Sequence, residues 1–343
     1  MRRKKSSEFY TKLQAQWIEG DKMNKNLKKA QLFVVNNFSW FLIIVLYLAF
    51  AGLRPTGMLS WSTVVFMLHS SIPLGFLVIG EALCLIVGGL DVSLAQMAGF
   101  TAMLSALIVT QWAPGLPGIV GVFLPVILGL LAGSVNGFFI GYLKLNPFLV
   151  TLGTFMGFEA GTLLLHSYPI YSGFPNHYLF GGESSLSIPI FVGVVLLMAF
   201  LLNYSRAGLY IYGVGGNAQS SRMLGVNPGH VKFFTFTLAG AFAGLSGLFY
   251  TGFLNTVPPS MGDGDIFLAF AGAIIGGVSL EGGRGSMTNA FAGLVFLALI
   301  EAGLSMFNVN PNLRRATYGI LVLAAIIINR YRSYFRDRLL QPE

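Results

Sequence analysis

The chain has 343 residues, of which 55% are apolar and only 10% charged, with a mean hydropathy of +0.71. A soluble domain carries about 25% charged residues, so a water-soluble globule is excluded. Long continuous apolar runs likewise exclude an outer-membrane barrel, whose strands alternate over ~10 residues. What remains is an all-α polytopic membrane protein. The net charge of +8 does not point to nucleic acid, because the cations sit in tails and loops beside apolar runs; the partner they imply is the lipid bilayer. The single cysteine, Cys84, lies in an apolar run and allows no intrachain disulfide.

Residues 1–37 form a basic tail. Its Phe9, Tyr10, Trp17 and Ile18 suit an amphipathic helix lying on anionic lipid, with a solvated polybasic tail as the plainer alternative. The tail is too long for the n-region of a signal peptide, so the first apolar run is read as a retained span despite Ala49-Phe50-Ala51. Ten candidate spans follow, at 38–53, 63–88, 92–112, 118–143, 147–167, 188–204, 232–254, 266–281, 287–308 and 316–329. The second is long enough to tilt or break at Pro73. Residues 38–329 thus read as one transmembrane domain, and 330–343 as a second basic tail.

The cations test this count. With the N-terminus inside, the cytoplasmic segments hold nine in the N-terminal tail, then Lys144, Arg206, Arg222, Lys232 and Arg284, and four in the C-terminal tail; only Arg54, Arg314 and Arg315 fall outside. That asymmetry predicts about ten helices with both termini cytoplasmic, in the cell (inner or plasma) membrane. Gly129, Gly133, Gly137 and Gly141 recur along the fourth span, and Gly153, Gly157 and Gly161 along the fifth. Such ladders expose a strip of bare backbone for close packing.

Signatures of an enzyme are few. His69, His166, His177 and His230 have no spacing with Cys, Asp or Glu that makes a metal site. Gly244-Leu245-Ser246-Gly247 matches an intramembrane serine protease motif, but no histidine follows to act as base, and packing is the better reading. No G-x-x-x-x-G-K-[ST] occurs, and Gly282-Gly283-Arg284-Gly285-Ser286 reads as a tight turn rather than a phosphate cradle. The chain is expected to have no catalytic residues, no metal and no cofactor of its own. Glu81, Asp91, Glu159 and Glu301 lie within spans, where charge is costly and marks either a solute or proton route or a bonded structural group. Asp91 stands out because Gly88-Gly89 and Ser93 surround it at an apparent helix break.

The cytoplasmic loop 205–231 is the most informative segment. Gly215-Gly216 reads as a turn, Asn217 as an N-cap, 218–224 as two helical turns and Gly225 as their stop. This short helix presents Arg222, Met223 and Leu224, and a helix so short needs a neighbouring surface to hold it.

Gly215-Gly216-Asn217-Ala-Gln-Ser220-Ser221-Arg222-Met-Leu-Gly225 resembles the coupling segment of the permease subunit of ribose-type ABC sugar importers. Three more stretches agree in order: Val87-Gly-Gly-Leu-Asp91-Val-Ser93, Asn136-Gly137 with Asn146-Pro147-Phe148-Leu-Val-Thr151-Leu-Gly153-Thr154, and Ile275-Gly276-Gly277-Val-Ser279-Leu-Glu-Gly282-Gly283-Arg284-Gly285-Ser286. The sequence departs from the family at Leu94-Ala95-Gln96 and at Ser220-Ser221. The resemblance covers about residues 60–330 and implies a ten-helix permease that moves a simple sugar or similar small polar solute. Nucleosides and branched-chain amino acids are carried by related permeases, and proton-coupled secondary transport through the carboxylates is the alternative from another class. It further implies ATP bound and hydrolysed by separate cytoplasmic ABC ATPase subunits docked at Gly215, Gly216, Asn217, Arg222, Met223, Leu224 and Gly225. A second permease subunit, identical or a close paralogue, and an extracytoplasmic solute-binding protein complete the set. Candidate residues of the solute path are Asp91, Ser93, Asn136, Asn146, Phe148, Thr151 and Thr154. The external loop 168–187, with Tyr168, Tyr171, Phe174, Tyr178 and Phe180, suits either the binding protein or a cap on the bundle.

Overall fold

The computed structural model describes residues 31, 33, 34, 37–175 and 177–340. Phe9, Tyr10, Trp17 and Ile18, the face suggested for an amphipathic tail helix, lie outside the described residues. The chain divides into a bundle of residues 39–329 and a small unit of residues 1–38 and 330–343. Among the described residues there is no strand, only an isolated antiparallel bridge between Ile170 and Val257.

Among the described residues the helices of six residues or more are α1 (Phe38–Leu53), α2 (Trp61–Ile86), α3 (Leu94–Trp112), α4 (Gly118–Tyr142), α5 (Pro147–Leu165), α6 (Ser184–Tyr204), α7 (Arg206–Gly216), α8 (Ala218–Met223), α9 (Pro228–Leu254), α10 (Asp265–Ile275), α11 (Met287–Met306) and α12 (Pro311–Leu340). α3 and α4 each end in a π-turn, at Ile108–Trp112 and Phe138–Tyr142. Seven of these helices are long and apolar enough to cross a membrane, namely α2 to α6, α9 and α11. α1 and α10 are apolar but shorter. Each predicted span coincides with a helix, though several boundaries move. α2 runs unbroken through Pro73, and α6 and α9 begin four residues early, at Ser184 and Pro228. Asn146 and Asn227 cap α5 and α9 ahead of a proline at the first helical position, a start signal that hydropathy alone passes over.

The eighth span is shortened most, whereas α12 runs past both ends of the expected 316–329. Residues 266–281 were expected as helix, but α10 stops at Ile275 and Gly277 follows at φ +92°. A glycine reversal ends it: the Val278 amide reaches the Ala273 carbonyl at 3.0 Å, and an added Cβ at Gly276 would lie 2.3 Å from the Asn289 carbonyl. After α9 the chain turns back along α3: Gly262 leaves a built Cβ only 2.4 Å from the Ala95 carbonyl, and Gly99 faces the Met261 carbonyl at 2.5 Å. Gly262 and Gly264, both at positive φ, make that return possible. α10 therefore starts beside the first turns of α3 instead of at the far end of the bundle.

The fourth-span ladder packs as its spacing predicts. A Cβ added at Gly129, Gly133, Gly137 or Gly141 would come within 2.2–2.6 Å of a backbone oxygen of α9. α9 answers with Gly240 and Gly244, whose own added Cβ atoms would lie 2.2 and 2.1 Å from the Gly129 and Pro125 carbonyls. The two backbones touch along most of their length. The fifth-span ladder differs. Gly153 and Gly157 have nothing within 4 Å, and only Gly161 meets a neighbour, Phe100. α5 buries just Thr151 and Thr162, so its glycine strip faces outward within a single chain.

Candidate functional site

Three segments meet at one end of the bundle: the α2–α3 break at 87–93, the connector 205–227, and the glycine-rich loop 276–286. The connector holds a helix that hydropathy did not reveal. Ser205 starts α7 by accepting the Gly208 amide through Oγ at 3.2 Å, and Gly208, Ile211 and Val214 turn inward at helical spacing. Gly215 and Gly216, expected to form a turn, are instead its last two residues. Gly215 is there for closeness: an added Cβ would stand 1.8 Å from the Ile86 carbonyl and 2.6 Å from the Gly283 nitrogen.

The short helix α8 follows where its cap and stop residues place it. Asn217 Oδ1 accepts the Ser220 amide at 2.8 Å. Ser221 is buried and donates its hydroxyl to the Asn217 carbonyl at 2.9 Å. Gly225, at φ +83°, reverses the chain so that the Val226 amide reaches the Ser221 carbonyl at 3.0 Å. Met223 and Leu224 are left 79% and 83% exposed beside Arg222, a small apolar prominence on a polar surface.

α7 joins this prominence to the rest of the bundle. The Gly283 amide donates to the Ile86 carbonyl at 2.8 Å, at the last turn of α2. Tyr212 donates its hydroxyl to the Gly285 carbonyl at 2.8 Å. Burial pushes the Tyr212 hydroxyl above the ordinary tyrosine range, which keeps it a donor. Gly282, Gly283 and Gly285 all have positive φ, and the Ser279 amide closes the loop on the Arg284 carbonyl at 2.9 Å. This segment is a tight turn, with the Gly283 amide turned into the fold.

The break itself is braced by polar side chains. α2 ends with Gly88 at φ +83° and the Gly89 amide on the Cys84 carbonyl at 2.8 Å. Asp91 Oδ1 accepts the Ser93 amide at 2.9 Å and its hydroxyl at 2.5 Å. Asn136, from α4, donates to Ser93 Oγ at 2.8 Å and Asp91 Oδ2 at 3.3 Å. Thr151, from α5, accepts the Val92 amide at 3.2 Å. Asp91, Ser93, Asn136 and Thr151 are therefore brought together, all fully buried. Asn146 and Phe148 sit apart from them, lining a cavity of about 280 Å³ with Gly88, Gly89 and Leu90. Thr154 is half-buried and bonds to carbonyls of its own helix at 3.2 and 3.3 Å. Glu81 is fully buried.

Residues 63–326 match the family described as branched-chain amino acid transport system / permease component. The chain is 30% identical over 299 residues to the autoinducer 2 import system permease protein LsrC of Salmonella choleraesuis, covering 84% of each protein. It is 29% identical over 301 residues to the D-allose transport system permease protein AlsC of Escherichia coli, covering 86% of this chain and 91% of that one. It is 26% identical over 264 residues to the ribose import permease protein RbsC of the same organism, covering 74% and 81%. No solved structure matches. The chain belongs to the permease family of ABC sugar importers.

In this permease Ser246 donates its hydroxyl to the Pro73 carbonyl at 2.8 Å, while Gly244 and Gly247 press on the Pro125 and Ala98 carbonyls. The motif is packing. Glu301 pairs with Arg314 at 2.8 Å, whereas Glu159 lies exposed on the outward side of α5. The aromatics of 168–187 divide: Tyr178 is fully buried and stacks on Phe174 at 5.7 Å, and Phe180 meets Phe249, while Tyr168 and Tyr171 are 74% and 71% exposed. A second polar site went unread in the sequence. Gln96 donates to Asp263 at 2.9 Å, the Tyr250 hydroxyl donates to Asp265, and both carboxylates line a cavity of about 720 Å³ with Phe267 and Tyr318. Two acids around Gly264 in a nearly charge-free stretch were the available signal.

Proposed function

We propose that this permease is the membrane-spanning subunit of an ATP-driven importer for a simple sugar or a similar small polar neutral solute. Separate ABC ATPase subunits dock on α8, a solute-binding protein delivers solute at the opposite end, and a second permease subunit shares the path. Relatives whose names specify ribose, D-allose and autoinducer 2 import support the solute class. The seven long apolar helices, the shorter α1 and α10, and α12 support a ten-helix count. The cation distribution supports cytoplasmic termini and puts α8 where an ATPase reaches it.

The observation that carries the reading is the backbone contact between α7 and the break. Gly215 touches both Ile86 and the Gly283 turn, so a push on Met223 and Leu224 passes through α7 to the end of α2. Closely packed backbones transmit displacement as rigid bodies. Asp91, Ser93, Asn136 and Thr151 then hold the break in register while Asn146, Phe148 and Thr154 stand nearer the path. In this reading the buried quartet positions the wall and does not touch solute.

The test is the double substitution Met223→Ser and Leu224→Ser, which removes apolar contact area without altering a buried group. The variant should insert and fold normally, yet lose most of its ATPase subunit on co-purification and its ATP-dependent uptake. Full retention of both would overturn the docking role of α8.

A further inference from the structure

Beside α8 lies a cavity of about 550 Å³ that shares only Arg222 and Gly225 with the docking residues. Its walls come from the last turn of α4 (Ile140, Gly141, Tyr142), the turn to α5 (Lys144, Leu145), α8 (Ala218, Arg222) and the start of α9 (Pro228, Gly229, Lys232). Three lining residues are cationic and none is acidic. Lys144, Arg222 and Lys232 form no ion pair among the described residues, and Lys232 is half-buried. The negative end of α4 offsets part of one charge, that of Lys144 in the turn directly after it, while the positive end of the 27-residue α9 adds to the others. A pocket so arranged attracts an anion.

We propose that this cavity binds the phosphate headgroup of an anionic phospholipid. Depth and shape choose the lipid over an acidic side chain of a docked protein. The cavity opens at the ends of two membrane-crossing helices, α4 and α9, which is the level of the headgroups. Its volume suits a glycerophosphate better than a single carboxylate. Directly below it along α4, Phe138 and Phe139 are 48% and 37% exposed, an apolar landing for an acyl chain. Tyr142 lines the cavity and its ring lies 5.9 Å from that of Phe138, joining the two zones. The inference needs α4 and α9 to cross a membrane, but it does not need an ATPase to dock on α8.

Native mass spectrometry of the full-length permease, delipidated and then titrated with phosphatidylglycerol or phosphatidylcholine, tests it. The wild type should retain phosphatidylglycerol preferentially. Lys144→Gln and Lys232→Gln should each lower that preference about fivefold, the effect of roughly one near-surface cation. Arg206→Gln, the same charge change at the same end but outside the cavity, should leave it intact. As a readout without substitution, phosphatidylglycerol but not phosphatidylcholine should slow amine-reactive labelling of Lys144 and Lys232. Inorganic phosphate at millimolar concentration should not displace the lipid. Displacement by phosphate, equal retention of the two lipids, or equal loss in Arg206→Gln would overturn the proposal. So would lysine protection that arises only when ATPase subunits are added, which would assign the cavity to a protein partner.

Discussion

Gly215 and Gly216 are adjacent, chemically identical and part of one motif, yet their surroundings are opposite. At Gly215 an added methyl collides with the Ile86 carbonyl, which is backbone and cannot rotate away; at Gly216 there is nothing within 4 Å. Gly215→Ala must therefore part α7 from α2, an overpacking strain of about 1–3 kcal/mol. Gly216→Ala, in a helical backbone with free space, should gain slightly through helix propensity. Cys84 supplies the measurement, since it is the chain's single cysteine and fully buried. A thiol-reactive fluorophore should report unfolding of Gly215→Ala several degrees below wild type and of Gly216→Ala at or above it. Equal midpoints for the two would mean that the α7–α2 contact is not close. The motif shows in the sequence that glycine stands at both positions, but not which glycine is confined, because that depends on Ile86 and Gly283 from distant segments.

At the scale of an element, α8 is held by its ends. Six residues are too few to persist alone in water, so the Asn217 cap and the Gly225 reversal carry much of the burden. Asn217→Ala removes the acceptor for the Ser220 amide, at a cost of about 1 kcal/mol. Gly225→Ala places a side chain at φ +83°, at a cost of about 1–2 kcal/mol. Neither residue supports the bundle, so the losses should stay local. Hydrogen exchange should speed up at 218–226 in both variants while α9, which starts under its own Asn227 cap, is unchanged. Faster exchange throughout α7 and α9 would show that the connector folds as one unit instead.

α8 also shows where sequence reading succeeds. Its cap, length and stop are local chemistry, and all three lie within ten residues. α7 was missed although Ser205 and the inward Gly208, Ile211 and Val214 were in plain view, because its glycines outweighed its period. α10 was overextended at its end because hydropathy cannot see the reversal at Gly276 and Gly277, where Gly276 is pressed against the Asn289 carbonyl. Asp91 and Ser93 were singled out as neighbours of a break, and the break exists. Their partners Asn136 and Thr151 come from α4 and α5, so only the family motifs, and not their spacing, linked the four.

For the whole molecule, the outward face of α5 is the feature a single chain leaves unexplained. Gly153 and Gly157 have no neighbour, and Glu159 stands exposed on the same helix. A bare glycine strip toward lipid gives up packing that the ladder on α4 uses fully. A carboxylate exposed mid-helix to hydrocarbon costs a few kcal/mol. Both costs fall away if a second permease subunit covers the strip and Glu159 flanks a wetted path between the two. Helices that meet through glycine bring their backbones within reach of a disulfide. In membranes from cells making the whole importer, Gly157→Cys in a Cys84→Ala background should therefore cross-link on mild oxidation to its own copy, or to a cysteine introduced at the matching position of the paired permease. Leu196→Cys, on the 60% exposed face of α6, should not. Efficient cross-linking at 196 with none at 157 would move the shared path to α6 and leave Glu159 facing lipid.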